Sequence, residues 1–281
     1  MNEQAKKAQT LLSLHTNGQL LILPNVWNPI GARMLEAKGF PAVATASAAI
    51  AESLGYADGE QIKVKTMLEA VGRIARGVNV PVTADFEAGY SDTLEGLQEN
   101  ISHLLDTGAV GINFEDSFDD SSRLRPIPEQ VERIKAVREA ADRKGIHLVI
   151  NARADSFFAE GFSSDEERIE DVITRSNAYI KAGADCTYPV GRGDKETVKI
   201  LRQRISAPIN VLASAKTANL KELQEIGINR VSFGPYIFRS LLAKAAAMYD
   251  EVQKLGGYEI VTDGIWSGND VQNYLATGKE V

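Results

Sequence analysis

The sequence is poor in cysteine and histidine. Cys186 is the only cysteine among 281 residues, so the chain can form no internal disulfide and no zinc site built from several thiolates. The three histidines are His15, His103 and His147, and none of them stands at the end of a predicted strand. A Ser-His-Asp hydrolase is therefore not expected. A small buried side chain is the simpler interpretation of Cys186 than a nucleophile.

The chain also lacks a surplus of basic residues, a long apolar run and a linker of low complexity. Its 31 Lys and Arg against 38 Asp and Glu give a net charge of −7, which opposes binding to nucleic acid or to an anionic membrane. No run of about 18 apolar residues is present, and no run of roughly 7–15 follows the polar first ten residues. These absences predict a soluble, cytoplasmic protein that binds neither nucleic acid nor membrane.

What the sequence does contain is a repeated alternation of short apolar runs with amphipathic segments. This alternation is typical of a parallel sheet with crossover helices. The length of 281 residues suits a single (β/α)₈ barrel over residues 1–281, since such barrels have roughly 250 residues. The predicted strands are 20–23, 42–46, 80–86, 111–115, 148–153, 184–189, 209–213 and 230–234.

A doubly wound open sheet would show a similar alternation. The first predicted strand, however, continues into Leu23-Pro24-Asn25-Val26-Trp27 rather than into a G-x-G-x-x-G turn. We therefore favour the barrel and expect no nicotinamide cofactor. The segment 255–281 is too apolar for a free end, and it is predicted to be a helical tail that docks on the protein, with exchange onto a neighbouring subunit as one possibility.

Acidic residues stand where the third and fourth predicted strands end. The two-residue period of a strand puts Asp85 and Glu87 on one face, and Glu115 ends the next strand, with Asp116 at the start of the loop that follows. Strand ends of this kind meet at the active-site end of a barrel. Clustered carboxylates are tolerated when they share a proton or a cation, and oxygen ligands favour Mg²⁺ or Mn²⁺ over zinc. The alternative is a set of surface salt bridges.

Two further features at the same end could bind an anion. Arg153, near the end of the fifth strand, could hold a substrate carboxylate or stabilise developing negative charge, or it could only neutralise the acidic residues. The second strand runs into Thr45-Ala46-Ser47-Ala48, whose backbone N–H groups could receive an anion. Ser47 could instead be a helix cap.

With these residues together, the chain resembles the isocitrate lyase/phosphoenolpyruvate mutase family from about Gly18 to Ser240. The resemblance rests on five segments that occur in order on the barrel pattern. They are 23–27, 45–58, 84–90, 113–116 and 151–155, and their characteristic letters are LPNVW, TAS with SLGYAD, ADFEAGY, NFED and NARAD.

The resemblance implies a ligand set and a substrate site. Asp85 would bind Mg²⁺ directly, and Asp58, Glu87 and Glu115 would hold it directly or through water. The backbone of Ser47 and Ala48 would receive a carboxylate or enolate oxygen, whose charge Arg153 would stabilise. We thus expect Arg153, Asp58 and Ser47 to be catalytic. The predicted substrate-binding residues are Trp27, Thr45, Ser47, Ala48, Arg153 and Asn210. Family members commonly form tetramers with exchanged C-terminal helices, so we also expect a homo-oligomer, a dimer or a tetramer.

The sequence departs from the family at the positions that determine which reaction a member catalyses. Isocitrate and methylisocitrate lyases carry a Lys-Lys-Cys-Gly-His motif after the fourth strand, but residues 117–125 read SFDDSSRLR. The Lys and Asn residues of the phosphonate-forming mutases are missing as well. Val190 stands where the lyases place a Glu that meets the distal carboxylate. Arg123 or Arg125 could close over a substrate, or be a solvated loop charge.

The residues that remain would handle a pyruvate-like group. We expect a Mg²⁺-dependent lyase that acts on a small 2-oxo or 2-hydroxy carboxylic acid through an enolate, by C–C cleavage or decarboxylation. One alternative is P–C bond chemistry on phosphonopyruvate-like substrates. Another is a non-catalytic binding barrel with an anion site at residues 232–235, which would show no metal dependence.

Overall fold

The computed structural model describes residues 2–118 and 122–276, in which paired strands are parallel and alternate with helices. The strands are β1 Leu21–Leu23, β2 Asn25–Val26, β3 Val43–Thr45, β4 Val82–Asp85, β5 Gly111–Glu115, β6 Val149–Ala154, β7 Cys186–Pro189, β8 Asn210–Leu212 and β9 Arg230–Ser232. All eight predicted strands are present, and β5 has the predicted bounds.

The strands follow one another around a ring. One sheet has the order β2-β3-β4-β5-β6-β7 and the other β1-β9-β8. Only Pro24 separates β1 from β2, and proline has no N–H to give to a ladder. At the other junction Thr187 and Ile209 form a parallel bridge, and the Thr187 N–H donates to the Pro208 carbonyl at 2.9 Å. With β1 and β2 counted as one interrupted strand, the ring has eight members, and the predicted (β/α)₈ barrel is confirmed.

The helices lie between the strands and at both ends of the chain. They are α1 Glu3–Leu14, α2 Pro29–Ala37, α3 Ser47–Ser53, α4 Val64–Arg76, α5 Leu94–Asp106, α6 Ile127–Arg143, α7 Asp165–Ala182, α8 Lys195–Arg204, α9 Leu220–Ile226, α10 Tyr236–Gln253, α11 Glu259–Thr262 and α12 Gly268–Leu275. None of those in the described part of the chain is long and apolar enough to cross a lipid bilayer.

Helix α1 packs at the end of the barrel where the strands begin. Leu11 is fully buried there, and a Cβ on Gly111, the first residue of β5, would lie 2.7 Å from the Leu11 Cδ2 atom. Gln4 Nε2 donates to the carbonyl of Ala109, just before β5, at 3.1 Å. The side chains at the opposite ends of the strands are therefore the ones available for a site.

The C-terminal segment is helical, as predicted, and its last helix docks on the same chain. Helix α12 packs against α2, where Arg33 Nη1 donates to the Leu275 carbonyl at 3.1 Å. Trp266 stacks on Tyr274 with the ring centres 5.2 Å apart. Residues 277–281 of the predicted tail lie outside the described residues.

Candidate active site

Asp85 ends β4 and is held at both carboxylate oxygens. Its Oδ2 accepts hydrogen bonds from the Ser47 N–H at 3.0 Å and the Ser47 hydroxyl at 2.9 Å, and its Oδ1 accepts from Asn113 Nδ2 at 3.2 Å. The Asp85 N–H donates to Thr45 Oγ1 at 2.9 Å. Ala46, not Ser47, is the cap residue of α3, and it makes no side-chain cap bond, so the cap interpretation of Ser47 is wrong.

Glu87 lies in a tight turn after β4. The strand ends at Asp85, so the prediction that both carboxylates share one strand face is wrong for Glu87, whose φ is +48°. Tyr90 and Gly89 also have positive φ, +59° and +91°. Such conformations are unfavourable for residues other than glycine and concentrate at functional sites. The turn directs the Glu87 carboxylate inward, where it is buried.

Two hydrogen bonds fix the Glu87 carboxylate. Its Oε2 accepts from the Glu60 N–H at 2.7 Å, and its Oε1 accepts from the Tyr90 hydroxyl. Burial raises the pKa of Glu87 to about 7, although the Tyr90 hydrogen bond opposes that rise. Asp58, Asp85, Glu87 and Glu115 form the acidic cluster. Asp58 lies at its exposed edge, with its Oδ1 3.5 Å from the Ser47 hydroxyl oxygen. Partial desolvation, and after it the charge of Asp85, raise the pKa of Asp58.

Arg153 is clamped between two acidic side chains. Its Nη1 lies 2.5 Å from Glu115 Oε2, and its Nε donates to Asp155 Oδ1 at 2.7 Å. The Ser117 hydroxyl holds the other Asp155 oxygen at 2.7 Å. Burial raises the pKa of Glu115 well above its usual range even though the Arg153 charge lowers it. Arg153 thus neutralises its neighbours, as one sequence interpretation proposed, and is fixed in orientation by the same contacts.

Asp116 faces away from the acidic cluster. Its Oδ2 accepts from the Tyr179 hydroxyl at 2.6 Å and lies 3.1 Å from Arg175 Nη1, and its Oδ1 accepts from the Asp155 N–H at 3.0 Å. Burial raises the pKa of Asp116 to about 6. These contacts join β5, β6 and α7, which is a structural role.

The remaining predicted substrate residues occupy different places. Thr45 is buried beside Asp85, and Ala48 is buried next to Ser47 in α3. Asn210 is buried in β8, where its Nδ2 donates to Ser232 Oγ at 3.1 Å. Trp27 packs edge-on against Phe238 of α10, with the ring centres 5.0 Å apart.

Asn25 has a role that the sequence did not indicate. Its Oδ1 accepts from the N–H groups of Phe233 and Gly234 at 2.7 and 2.9 Å, and its Nδ2 donates to the Thr45 carbonyl at 2.6 Å. The turn at 232–235 is the anion site that a non-catalytic binding barrel would use. Because Asn25 already accepts from two of its N–H groups, the structure does not support that site.

In the segment after β5, Arg125 has neither of the two roles that the sequence suggested for it. Arg125 is buried, pairs with Asp92 and Glu129 at 2.7 Å each, and stacks on the Phe118 ring at 4.3 Å. It is neither a solvated charge nor free to close over a substrate. Arg123 is exposed and lies 5.1 Å from the same ring. Residues 119–121 lie outside the described part of the chain.

The acidic cluster offers only oxygen ligands. Within residues 2–118 and 122–276, no three His, Cys, Asp or Glu side chains converge into a complete metal cage. Mg²⁺ does not need one, because it keeps several waters and commonly takes one or two protein carboxylates. Asp85 and Asp58 approach the same Ser47 hydroxyl, whereas Glu87 and Glu115 are engaged by Tyr90 and Arg153. This donor set fits Mg²⁺ or Mn²⁺ held mainly by Asp85 and Asp58.

Comparison with known proteins identifies the class. A family model described as phosphoenolpyruvate phosphomutase matches residues 11–253, so the chain belongs to this family. A candidate phosphonomutase from Burkholderia cenocepacia J2315 has 38% identity and a TM-score of 0.82, over 87% of this chain and 99% of that one. A candidate lyase/mutase from the same organism has 30% identity and a TM-score of 0.90, over 99% of both chains.

A named enzyme is also related in sequence. The 2-methylisocitrate lyase of Aeropyrum pernix is 25% identical over 264 residues, which are 91% of this chain and 83% of the relative. The predicted family and the predicted class of enzyme are confirmed.

Proposed function

We propose that this protein is a Mg²⁺-dependent lyase that acts on a small 2-oxo or 2-hydroxy carboxylic acid through an enolate, by C–C cleavage or decarboxylation. The observation that supports it most is that a fixed carboxylate and a fixed guanidinium both lie at the mouth of the barrel. Asp85 is bound at both oxygens, and Arg153 is clamped by Glu115 and Asp155. Groups that need no rearrangement stabilise developing charge most effectively.

Asp85, with Asp58, would hold Mg²⁺ or Mn²⁺, and Glu87 and Glu115 would reach the ion through water. When bound, the ion supplies a Lewis acid for the oxo and carboxylate oxygens of the substrate. Arg153 would stabilise the negative charge that develops on the enolate oxygen. Its planar fork suits the two oxygens of a pyruvate-like end.

Ser47 would assist from the start of α3. Its N–H and hydroxyl both donate to Asp85 Oδ2 in this structure. When a substrate oxygen enters beside Asp85, these donors would pass to that oxygen, with the adjacent Ala48 backbone. Thr45 would act by fixing the Asp85 backbone, and Asn210 through Ser232, while Trp27 would border the entrance.

A P–C bond enzyme is a second candidate, favoured by the 38% identity to a candidate phosphonomutase. Its substrates share the pyruvate-like end, so the same metal and Arg153 would serve. The two candidates differ at the distal end of the substrate. There Val190 is buried and apolar, and it offers no charge to a distal carboxylate.

The deciding experiment follows products by NMR from a panel of 2-oxo and 2-hydroxy dicarboxylates and phosphonopyruvate, with Mg²⁺ or with chelator. We expect a metal-dependent 2-oxo acid product from wild type and a loss of roughly a hundredfold or more in Asp85→Asn, because the main ion ligand is gone. Asp142→Asn, an exposed aspartate on α6, is the matched control and should keep full turnover. Turnover that survives both chelation and Asp85→Asn would refute the metal-centred mechanism, and turnover of phosphonopyruvate alone would select the second candidate.

A further inference from the structure

Arg230 crosses the interior of the barrel. It begins β9, is fully buried, and its Nη2 donates to Asn113 Oδ1 on β5 at 3.0 Å. In the ring of eight, β9 and β5 are four positions apart and therefore lie opposite each other. The guanidinium thus connects two strands that share no backbone hydrogen bond.

The guanidinium has no carboxylate partner among the residues that the structure describes. Neither Nε nor Nη1 of Arg230 makes a hydrogen bond to them, and Asn113 offers only a neutral amide oxygen. Burial lowers the pKa of Arg230, yet an arginine stays protonated in proteins. A buried unpaired cation destabilises the folded state, because nothing offsets the loss of its hydration. Stability alone therefore does not explain this residue.

The Asn113 amide shows what the contact does. Its Oδ1 accepts from Asn151 Nδ2 at 2.8 Å as well as from Arg230, and its Nδ2 donates to Asp85 Oδ1. A flipped amide would point its NH₂ at two donors and its oxygen at a carboxylate. Arg230 and Asn151 together therefore select the orientation that holds Asp85.

We propose that Arg230 is a positioning residue that fixes the Asp85 carboxylate through Asn113. The inference rests on the proposed function in one respect, that Asp85 is the ligand of the metal. Ser47 holds one Asp85 oxygen from the start of α3, and Arg230 secures the other, through Asn113, from the far side of the barrel. Sequence patterns give no sign of this link, since residues 113 and 230 are far apart in the chain.

The direct test is a pair of metal-free crystal structures, wild type and Arg230→Met. Methionine is apolar and of similar length, and it removes the cost of a buried charge that has no partner of opposite sign. We expect the variant to be at least as stable as wild type but to lose the contact between Asn113 Nδ2 and Asp85 Oδ1. An Asn113 amide and Asp85 carboxylate that superpose on those of wild type would overturn the proposal. If Arg230→Met does not fold, Asn113→Ala tests the same link from its other end, because Asp85 should then turn away from its wild-type position.

A second readout is the affinity for Mn²⁺ alone, measured by electron paramagnetic resonance. Both Arg230→Met and Asn113→Ala should bind about 10–100-fold more weakly, which is typical when a supporting contact of a ligand is lost. The double variant should be no weaker than either single one, since both act through one path. The control is Arg202→Met, which removes a partly buried arginine on α8 that donates to the Ala207 carbonyl, and it should bind as wild type does.

The outcomes separate the two proposals. Tighter Mn²⁺ binding by Arg230→Met would show that Arg230 acts only as a repelling charge, and additive losses in the double variant would show that it does not act through Asn113. Either result overturns the positioning role. A wild type that binds no Mn²⁺ would instead overturn the proposed function, and the metal-free structures would still decide whether Arg230 positions Asp85.

Discussion

Asn25 and Arg230 each join parts of the ring that are remote in sequence. Asn25 bridges β2 to the turn after β9, and Arg230 reaches from β9 to β5. Both are polar and buried. A polar side chain in such a position must find a partner, because an unpaired one costs about 1–3 kcal/mol. Which partner it finds depends on how the ring closes, and local sequence patterns do not contain that information.

His15 makes the stability of the protein depend on pH. Its Nδ1 bonds the Leu11 carbonyl at 2.8 Å, whereas its Nε2 makes no hydrogen bond within the described residues. Burial, and after it the charge of Arg230, lowers the pKa of His15 to about 4. Between that pKa and the unfolded value of about 6.5 the unfolded chain binds the extra proton, so stability falls as pH falls through this window. The full effect is roughly 3 kcal/mol, since one pKa unit corresponds to about 1.4 kcal/mol.

We therefore expect the free energy of unfolding to fall more steeply in wild type than in His15→Leu between pH 7 and pH 4.5. Urea unfolding at a series of pH values measures the difference, which should approach about 2 kcal/mol at the acid end. His103→Gln, at an exposed position on α5, should follow the wild-type curve. Parallel curves for wild type and His15→Leu would contradict this account.

The turn after β4 shows how an element can be shaped by one glycine. Gly89 has a φ of +91°, and a Cβ there would overlap the buried Leu97 side chain and approach Phe114 Cε2 to 3.1 Å. Gly39 has nearly the same φ, +84°, but open space around it. An alanine at Gly39 therefore meets backbone strain alone, whereas an alanine at Gly89 meets both backbone strain and steric overlap.

Gly39→Ala should lower the free energy of unfolding by about 1 kcal/mol, the cost of a left-handed alanine. Gly89→Ala should lower it by about 2–4 kcal/mol, because packing overlap adds to the same backbone strain. Because the turn positions Glu87, Gly89→Ala should also weaken Mn²⁺ binding, whereas Gly39→Ala should not. Chemical denaturation and the Mn²⁺ titration measure the two effects, and equal losses of stability would show that the turn has room for a side chain.

The strands and their acidic ends could be predicted because both depend on local pattern. In a run such as Gly111–Glu115, the apolar residues and the two-residue alternation of side chains indicate where the strand begins and ends. The last residue of the strand then lies at the mouth of the barrel. The predicted strand 80–86 is longer than β4, because the apolar run of the sequence extends beyond the residues that have the extended conformation of a paired strand. Glu87 was predicted wrongly because the chain enters a turn after Asp85 instead of continuing as a strand. Its position is set by positive φ values at residues other than glycine, which no composition rule signals.

The two ends of the barrel differ. Helix α1 fills the end where the strands begin, and the acidic cluster occupies the other. The C-terminal helices α10, α11 and α12 follow β9, the last strand of the ring. They extend the chain beyond the ring and carry many of the large apolar side chains that are in contact with solvent.

These exposed side chains lead us to expect a homo-oligomer, a dimer or a tetramer. In α10 and the segment after it, Tyr249, Leu255, Tyr258 and Ile265 are 72%, 93%, 77% and 66% exposed. Apolar surface of this extent usually marks a protein interface, and a second copy of the chain presents the same surface in a symmetric contact.

Light scattering should therefore give a mass of two or four times 30.5 kDa for wild type. The double variant Leu255→Asp and Ile265→Asp should shift toward 30.5 kDa, because each buried charge would oppose association. Ile200→Asp, at a 39% exposed position on α8, is the control and should leave the mass unchanged. A wild type that runs as a monomer at micromolar concentration would refute the expectation and leave the apolar segment to pack on its own barrel.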